Sequence, residues 1–402
     1  MKNYEYILLK LLNAQLTNNN KILSGDIFVK TVLQLSDSDW WNLIKLAQNH
    51  NVLSIIAENQ VFIDNCNYTQ KEYVFDEANK VVMRNYRLLW LASKYQKILN
   101  DAGIESVLIK GFATAIYYDV PEIRKSGDID ILIIDKNKID KAIYVLLSKG
   151  LKYVDKQHSS HHIELVNDRG ITVELHQTLA EHFDNKRIDN QLQDIIKEYK
   201  EHIQSVCFLG NTLYISSDGY NAFSLMIHML QHYLRAGFGL KLLCDWVIFW
   251  NRMISDTEKK QFMHHIKQLH METFVSAITS ICVRYLGLSK EKVLFMIKEK
   301  EDKKLLYAII TDIIEAEEFG YSDKNRMVVL RDSKISSLIR EFHHQMIINY
   351  PKMSHYIILW PILWSLTLVV FMRNNKNIRH TSAFHILKNA RKRSQIRKKI
   401  EV

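Results

Sequence analysis

Two aspartates one residue apart, Asp128 and Asp130 in "GDIDILII" (127–134), are the first residues whose types and spacing could do chemistry. On an extended strand, residues two apart share a face, so both carboxylates point one way while Ile129, Ile131 and Ile133 point into a core. "ITVELH" (171–176) repeats the pattern, with Ile171, Val173 and Leu175 on one face and Thr172, Glu174 and His176 on the other. If the two strands are neighbours, Glu174 joins the aspartates. Three crowded carboxylates repel and raise one another's pKa unless cations neutralise them. Mg²⁺ (or Mn²⁺) is the expected cofactor, because it takes carboxylate oxygens together with waters and substrate phosphates. Two such ions about 4 Å apart can clamp the attacking and leaving oxygens of a phosphoryl displacement. The substrate implied is a nucleoside triphosphate.

Upstream, "LIKGFATAIYY" (108–118) carries Gly111 where a strand turns into a helix. A missing side chain there lets phosphate approach backbone N–H groups at the positive end of a helix dipole. Lys110, Thr114 and Arg124 are candidate donors to triphosphate oxygens, with Gly127 beside them at the aspartates. Each element alone is weak, since Asp-x-Asp is common in turns and Lys-Gly at a strand end is usually just a turn. The order carries the reading: strand, glycine turn, helix, arginine, an Asp-x-Asp strand, then an acid on a later strand.

The elements that must position these residues follow from periodicity. Residues 1–102 read as helices: Ser36 or Ser38 caps a helix carrying Trp41, Ile44 and Leu46, and Phe75, Ala78, Val82, Tyr86 and Leu89 form an apolar stripe. Residues 103–178 read as a compact α+β unit, in which strand, short helix, strand and a helix closed by Gly150 are followed by a meander turning at "NDRG". From 179 to 351 the chain is expected to return to helix, with a break at Gly237 and Gly239. Residues 352–402 read as an apolar strap plus a basic tail. With three prolines and twelve glycines in 402 residues, long helices are favoured over a turn-rich β fold.

The combination of "LIKG", Arg124, "GDIDIL" and "VELH" resembles the polymerase-beta-like nucleotidyltransferase superfamily, and within it an uncharacterised bacterial nucleotidyltransferase family. The resemblance implies an α+β fold, mostly helical, with a small mixed-sheet nucleotidyltransferase core flanked by N- and C-terminal helical blocks. It implies that Asp128 and Asp130 hold both metals and that Glu174 holds the catalytic one beside the acceptor hydroxyl. It also implies transfer of a nucleoside monophosphate, AMP being favoured, with pyrophosphate release. Relatives of this kind sit beside surface-polysaccharide and modified-peptide genes, which implies a sugar, glycolipid, peptide or protein acceptor. "HMLQHYLRAGFGLKLLCDW" resembles a downstream segment of that family, so His228, His232 and Asp245 are candidate acceptor-pocket residues.

The residues themselves leave other readings open. His228 and His232 are four apart, but Met229 stands where an HExxH protease needs glutamate, and packing or hydrogen bonding is the simpler role. His176 either orients a metal-bound water or acceptor or is a strand-end histidine bonded to backbone. His162 is a further candidate near the site, while His158 and His161 read as strand-edge or loop residues.

The four cysteines lack metal or disulfide spacing, which fits a reducing cytosol, and "MKNYEYILLKLLNAQL" is expected to carry no export signal. The formal charge of +10 is a property of the tail: residues 373–402 hold ten Lys/Arg against Glu401, leaving +1 for the rest. A nucleic-acid partner is therefore not expected. Residues 353–372 hold no Lys, Arg, Asp or Glu. The first reading of that segment is a strap packed on the body. A contact with an anionic membrane surface, helped by the tail, is the second, and a true span is disfavoured by the positive-inside rule. Two further function classes stay open, a non-catalytic nucleotide-binding or toxin–antitoxin-type module and a membrane-peripheral scaffold using 353–402.

Overall fold

A computed structural model of the chain describes residues 1–154, 162–180, 186–234, 237–252, 254–300, 302–316, 353–374 and 395–396, with isolated positions between 339 and 350. The described residues divide into two compact units, Met1–Gln231 with Leu240–Glu301, and His232–Gly239 with Asp302–Val402.

The first unit opens with α1 (Asn3–Leu16), α2 (Asp26–Leu33), α3 (Asp37–Asn49), α4 (Leu53–Ile56), α5 (Gln60–Asn65) and the long α6 (Tyr68–Asp101). Ser36 caps α3, accepting from the Asp39 backbone N–H while the Asp39 carboxylate accepts from the Ser36 N–H. On α6 the buried stripe runs through Val74, Asn85, Leu88, Leu89, Ala92, Tyr95 and Leu99, whereas Phe75 and Tyr86 are exposed. The expected stripe is thus partly out of phase. A polar residue, Asn85, occupies the middle of the buried face, and a pattern keyed to hydrophobicity steps past it to Tyr86.

A seven-stranded sheet follows: β1 (Ser106–Leu108), β2 (Ile129–Ile133), β3 (Lys152–Tyr153), β4 (His162–Val166), β5 (Thr172–His176), β6 (Ile203–Phe208) and β7 (Asn211–Ser216), in the order β3-β4-β5-β2-β1-β7-β6. It is mixed, with β2/β5 and β1/β7 parallel and the other pairs antiparallel. The hairpin β6–β7 corrects the expected return to helix after 178. Leu213 and Ile215 join the core with Val206 and Phe208 packed against it, and the turn uses Leu209 and Gly210, both at positive φ, which suits the twist of a two-residue hairpin. The fold is nonetheless α+β and mostly helical.

One face of the sheet is apolar. Ile129, Ile131, Ile133, Leu165, Val173 and Leu175 pack in one cluster with Leu88, Ala92 and Leu99 of α6 and with Ala142, Ile143 and Leu146 of α8 (Ile139–Leu147). The acids lie on the other face. Between β1 and β2 runs α7 (Phe112–Ala115), between β5 and β6 runs α9 (Lys186–Glu198), and after the sheet come α10 (Asp218–Leu234), α11 (Leu240–Asn251), α12 (Asp256–Gln268), α13 (Glu272–Tyr285) and α14 (Lys290–Val293). The expected glycine break separates α10 from α11, with Gly237 at φ +102. Trp246, Phe249, Trp250 and Phe262 form an edge-packed aromatic layer between α11 and α12.

In the second unit the described elements include α15 (Lys303–Ala316) and a helix at Trp360–Asn374. On the helix Trp360–Asn374, Leu363 and Thr367 are buried, while Ile362, Leu366, Leu368, Val369 and Val370 are exposed.

Candidate active site

The parallel pairing of β2 and β5 sets Asp130 opposite Glu174 and Leu132 opposite His176. Their side chains meet on the face away from the core. His176 Nε2 lies 2.8 Å from Asp130 Oδ1 and 3.1 Å from Glu174 Oε2, and Lys110 Nζ donates to the same Asp130 oxygen at 2.8 Å. Potential ligand atoms of Asp130, Glu174 and His176 all lie within 4.8 Å of one another, the only such group among the described residues. Asp128 stands just before β2, on the same side.

Lys110 reaches Asp130 because the chain turns through two consecutive left-handed residues, Lys110 at φ +64 and Gly111 at φ +45, while Ile109 N–H still bonds to the Asp130 carbonyl. The Gly111 conformation, with ψ −116, is one that only glycine enters readily. Here the glycine serves the bend rather than close packing, since an added Cβ would meet nothing nearer than the Asp128 carbonyl oxygen at 3.8 Å.

The electrostatics separate the two aspartates. The Asp130 charge, then burial, then Glu174 push the Asp128 carboxyl up to about 7, with Lys110 and Lys241 opposing. Burial alone would raise Asp130 too, but Lys110 and His176 hold it well below the ordinary carboxylate value. Lys110 is raised against its own burial by Asp130 and Glu174. His176 is raised as well: burial and the Lys110 charge work against it, and its bonds to Asp130 and Glu174 prevail. A carboxylate, an ammonium and an imidazole therefore share one buried network, with a second carboxyl beside it that stays partly protonated at neutral pH.

Other expected residues are placed differently. Arg124 is 3% exposed, with Nε and Nη2 donating to the two oxygens of Asp245 at 2.9 and 2.7 Å and Nη1 donating to Ser126 Oγ. Tyr118 OH also donates to Asp245. The expected phosphate donor and the expected acceptor-pocket acid thus neutralise each other in the interior, tying the loop before β2 to α11. Thr114 is buried in α7, all four residues of which face inward, and a single turn provides little dipole for phosphate. Gly127 accepts a bond from Arg84 through its carbonyl. His228 is buried on α10 outside the ligand group, and His232, farther along that helix, belongs to the second unit. His162 pairs with His176 across β4 and β5, but its side chain, like His158 and His161 altogether, lies outside the described residues.

Three residues escaped the sequence reading. Asn85, 1% exposed, donates through Nδ2 to the carbonyls of Glu122 (2.6 Å) and Arg124 (2.8 Å) and accepts from Ser126 N–H (3.2 Å), clamping the loop that delivers Asp128. Arg84 donates to the Gly127 carbonyl of that loop, beside Asp128. Lys241, at the start of α11, lies near enough to pull the Asp128 pKa downward. The one available signal was a lone asparagine in phase with the buried stripe of α6.

No curated protein matches the chain. Among solved structures, an antigenic nucleotidyltransferase-like protein from Paracoccidioides brasiliensis is similar over 51% of this chain and 92% of its own, at 15% identity and a TM-score of 0.31. The sequence profile of a family described as uncharacterised nucleotidyltransferase matches residues 36–287, a span that contains the sheet, the carboxylates, Lys110 and the Arg124–Asp245 pair. The chain belongs to that uncharacterised nucleotidyltransferase family.

Proposed function

We propose that the protein is a divalent-metal-dependent nucleotidyltransferase that moves a nucleoside monophosphate, with AMP favoured, from a nucleoside triphosphate to a hydroxyl or phosphate acceptor. The acceptor oxygen would form a bond to the α-phosphorus, the α–β phosphoanhydride bond would break, and pyrophosphate would leave while the acceptor proton passes to solvent. The observation that carries this reading is the side-by-side placement of Asp130 and Glu174 on parallel strands with Asp128 adjacent.

The residues fit Mg²⁺ or Mn²⁺. Carboxylate oxygens are the donors such ions prefer, and the raised Asp128 carboxyl marks a repulsion that a cation relieves. Asp128, Asp130 and Glu174 would hold two such ions. When bound, they supply charge stabilisation for the transferring phosphoryl group and lower the acceptor's pKa. His176, donating to both Asp130 and Glu174, fixes the carboxylate orientations, a role in which a nitrogen donor beside a hard-cation site is well suited. Lys110 provides a cation beside the same carboxylates for the triphosphate. A sugar, glycolipid, peptide or protein acceptor is the expected class.

The test is NTP binding and pyrophosphate release with and without Mg²⁺, wild type against Asp128→Asn/Asp130→Asn, with a cell lysate fraction as acceptor source. Mg²⁺-dependent release that the double variant loses supports the reading. Absence of binding by the folded protein to any of several nucleoside triphosphates overturns it in favour of a non-catalytic module.

A further inference from the structure

Among the described residues, the helix Trp360–Asn374 and the 3₁₀ turn Ile357–Leu359 before it are anchored along one side. On that side Leu363 and Thr367 are 1% and 3% exposed, Trp360 Nε1 donates to the Ser354 carbonyl, and Trp364 Nε1 donates to His343. The opposite side is bare hydrocarbon: Ile358, Ile362, Leu366 and Val369, at helical spacing, are 87, 59, 45 and 60% exposed, with Leu368 and Val370 flanking them. Single exposed apolar residues are ordinary on protein surfaces, but an uninterrupted apolar helix face is not.

Its length and its sequence neighbours decide what covers it. Fifteen residues at about 1.5 Å rise extend roughly 22 Å, short of the roughly 30 Å of a bilayer's hydrocarbon core. No helix among the described residues is long and apolar enough to cross a membrane. Immediately after the apolar run, residues 373–402 carry ten Lys/Arg against one Glu. A second copy of this chain would cover the apolar side chains, but would bring two strongly cationic segments together. An anionic lipid surface satisfies both features: hydrocarbon for the apolar face and headgroup charge for the basic segment.

We propose that this face docks the protein on an anionic bilayer surface, with Ile358, Ile362, Leu366 and Val369 entering the boundary between headgroups and acyl chains and the following Lys/Arg pairing with lipid charge. This is peripheral attachment, and it is independent of the reading of the carboxylate site.

The test is co-sedimentation of the full-length protein with vesicles of phosphatidylcholine alone or of phosphatidylcholine with phosphatidylglycerol. Wild type is expected to pellet with the anionic vesicles and to be partly released by salt. Ile362→Glu/Leu366→Glu, which alters exposed side chains only, should reduce that binding about tenfold or more without changing circular dichroism or thermal unfolding. Arg391→Gln/Lys392→Gln/Arg393→Gln, which leaves the helix intact, should weaken the preference for anionic vesicles. The proposal fails if wild type binds neither vesicle or both equally, or if the glutamate variant pellets like wild type. It also fails if sedimentation velocity shows a dimer that the glutamate variant dissociates while no vesicle binding occurs, which would assign the face to a second copy.

Discussion

Asp130 and Glu174 face each other at one register position of two parallel strands, and His176 Nε2 reaches both, 2.8 Å from Asp130 Oδ1 and 3.1 Å from Glu174 Oε2. The backbone ladder, rather than a flexible loop, therefore sets the separation of the two carboxylates. Glu174→Gln should abolish high-affinity Mn²⁺ binding, measured by electron paramagnetic resonance, and lower pyrophosphate release at least about a hundredfold, with little change in melting temperature. Asp130→Asn should do the same and also cost about 1–3 kcal/mol of stability in chelator, because it weakens the partner of Lys110 inside the network.

The pH dependence of the metal-free protein follows from opposite shifts in one network. Asp128 is raised from 3.8 to about 7 and His176 is raised, so protonation favours the fold, and stability is lost as pH rises through the folded values. Asp130 is lowered, so its contribution is present above the ordinary carboxylate value and lost as pH falls well below it. With respect to these groups, metal-free protein should thus be most stable at about pH 4 and lose stability from there up to about pH 7, as the folded Asp128 gives up the proton it retains over the unfolded chain. Asp128→Asn should raise its stability at pH 8 by on the order of 2 kcal/mol, and Mn²⁺ should stabilise wild type more at pH 8 than at pH 5. Differential scanning calorimetry across pH measures both.

Asn85 holds the loop that ends at Asp128 through two carbonyls and one N–H. Asn85→Ala should cost about 2–4 kcal/mol and weaken Mn²⁺ affinity about tenfold or more. Lowering the assay temperature should restore folding without restoring affinity. Full affinity in the folded variant would show that the clamp serves stability alone.

The Arg124–Asp245 pair is buried and bidentate, so removing one partner strands a charge. Arg124→Met and Asp245→Leu should each cost about 3–5 kcal/mol, and the double variant far less than their sum. Nucleotide affinity in the folded double variant should match wild type. A large loss there would return Arg124 to the triphosphate site.

The alternation in "GDIDILII" and "ITVELH" was enough to place Asp128, Asp130 and Glu174 on a common face and the isoleucines, valine and leucine in a core, because strand geometry leaves a side chain only two directions. Local chemistry likewise marked the Ser36 cap, the glycine break after α10 and the hairpin at Asn167, whose Oδ1 accepts from two turn N–H groups. Partners distant in sequence could not be read in this way. Nothing local in Arg124 distinguishes a phosphate donor from the partner of an aspartate 121 residues later, and nothing in Asn85 says that it will hold residues 122–126. The hairpin Ile203–Ser216 joins the sheet only because β1 offers it an edge, and Lys110 turns toward Asp130 only because two left-handed residues aim it there. Periodicity along the chain determined which face each acid would take. The tertiary structure decided which cations meet them, since that depends on long-range packing.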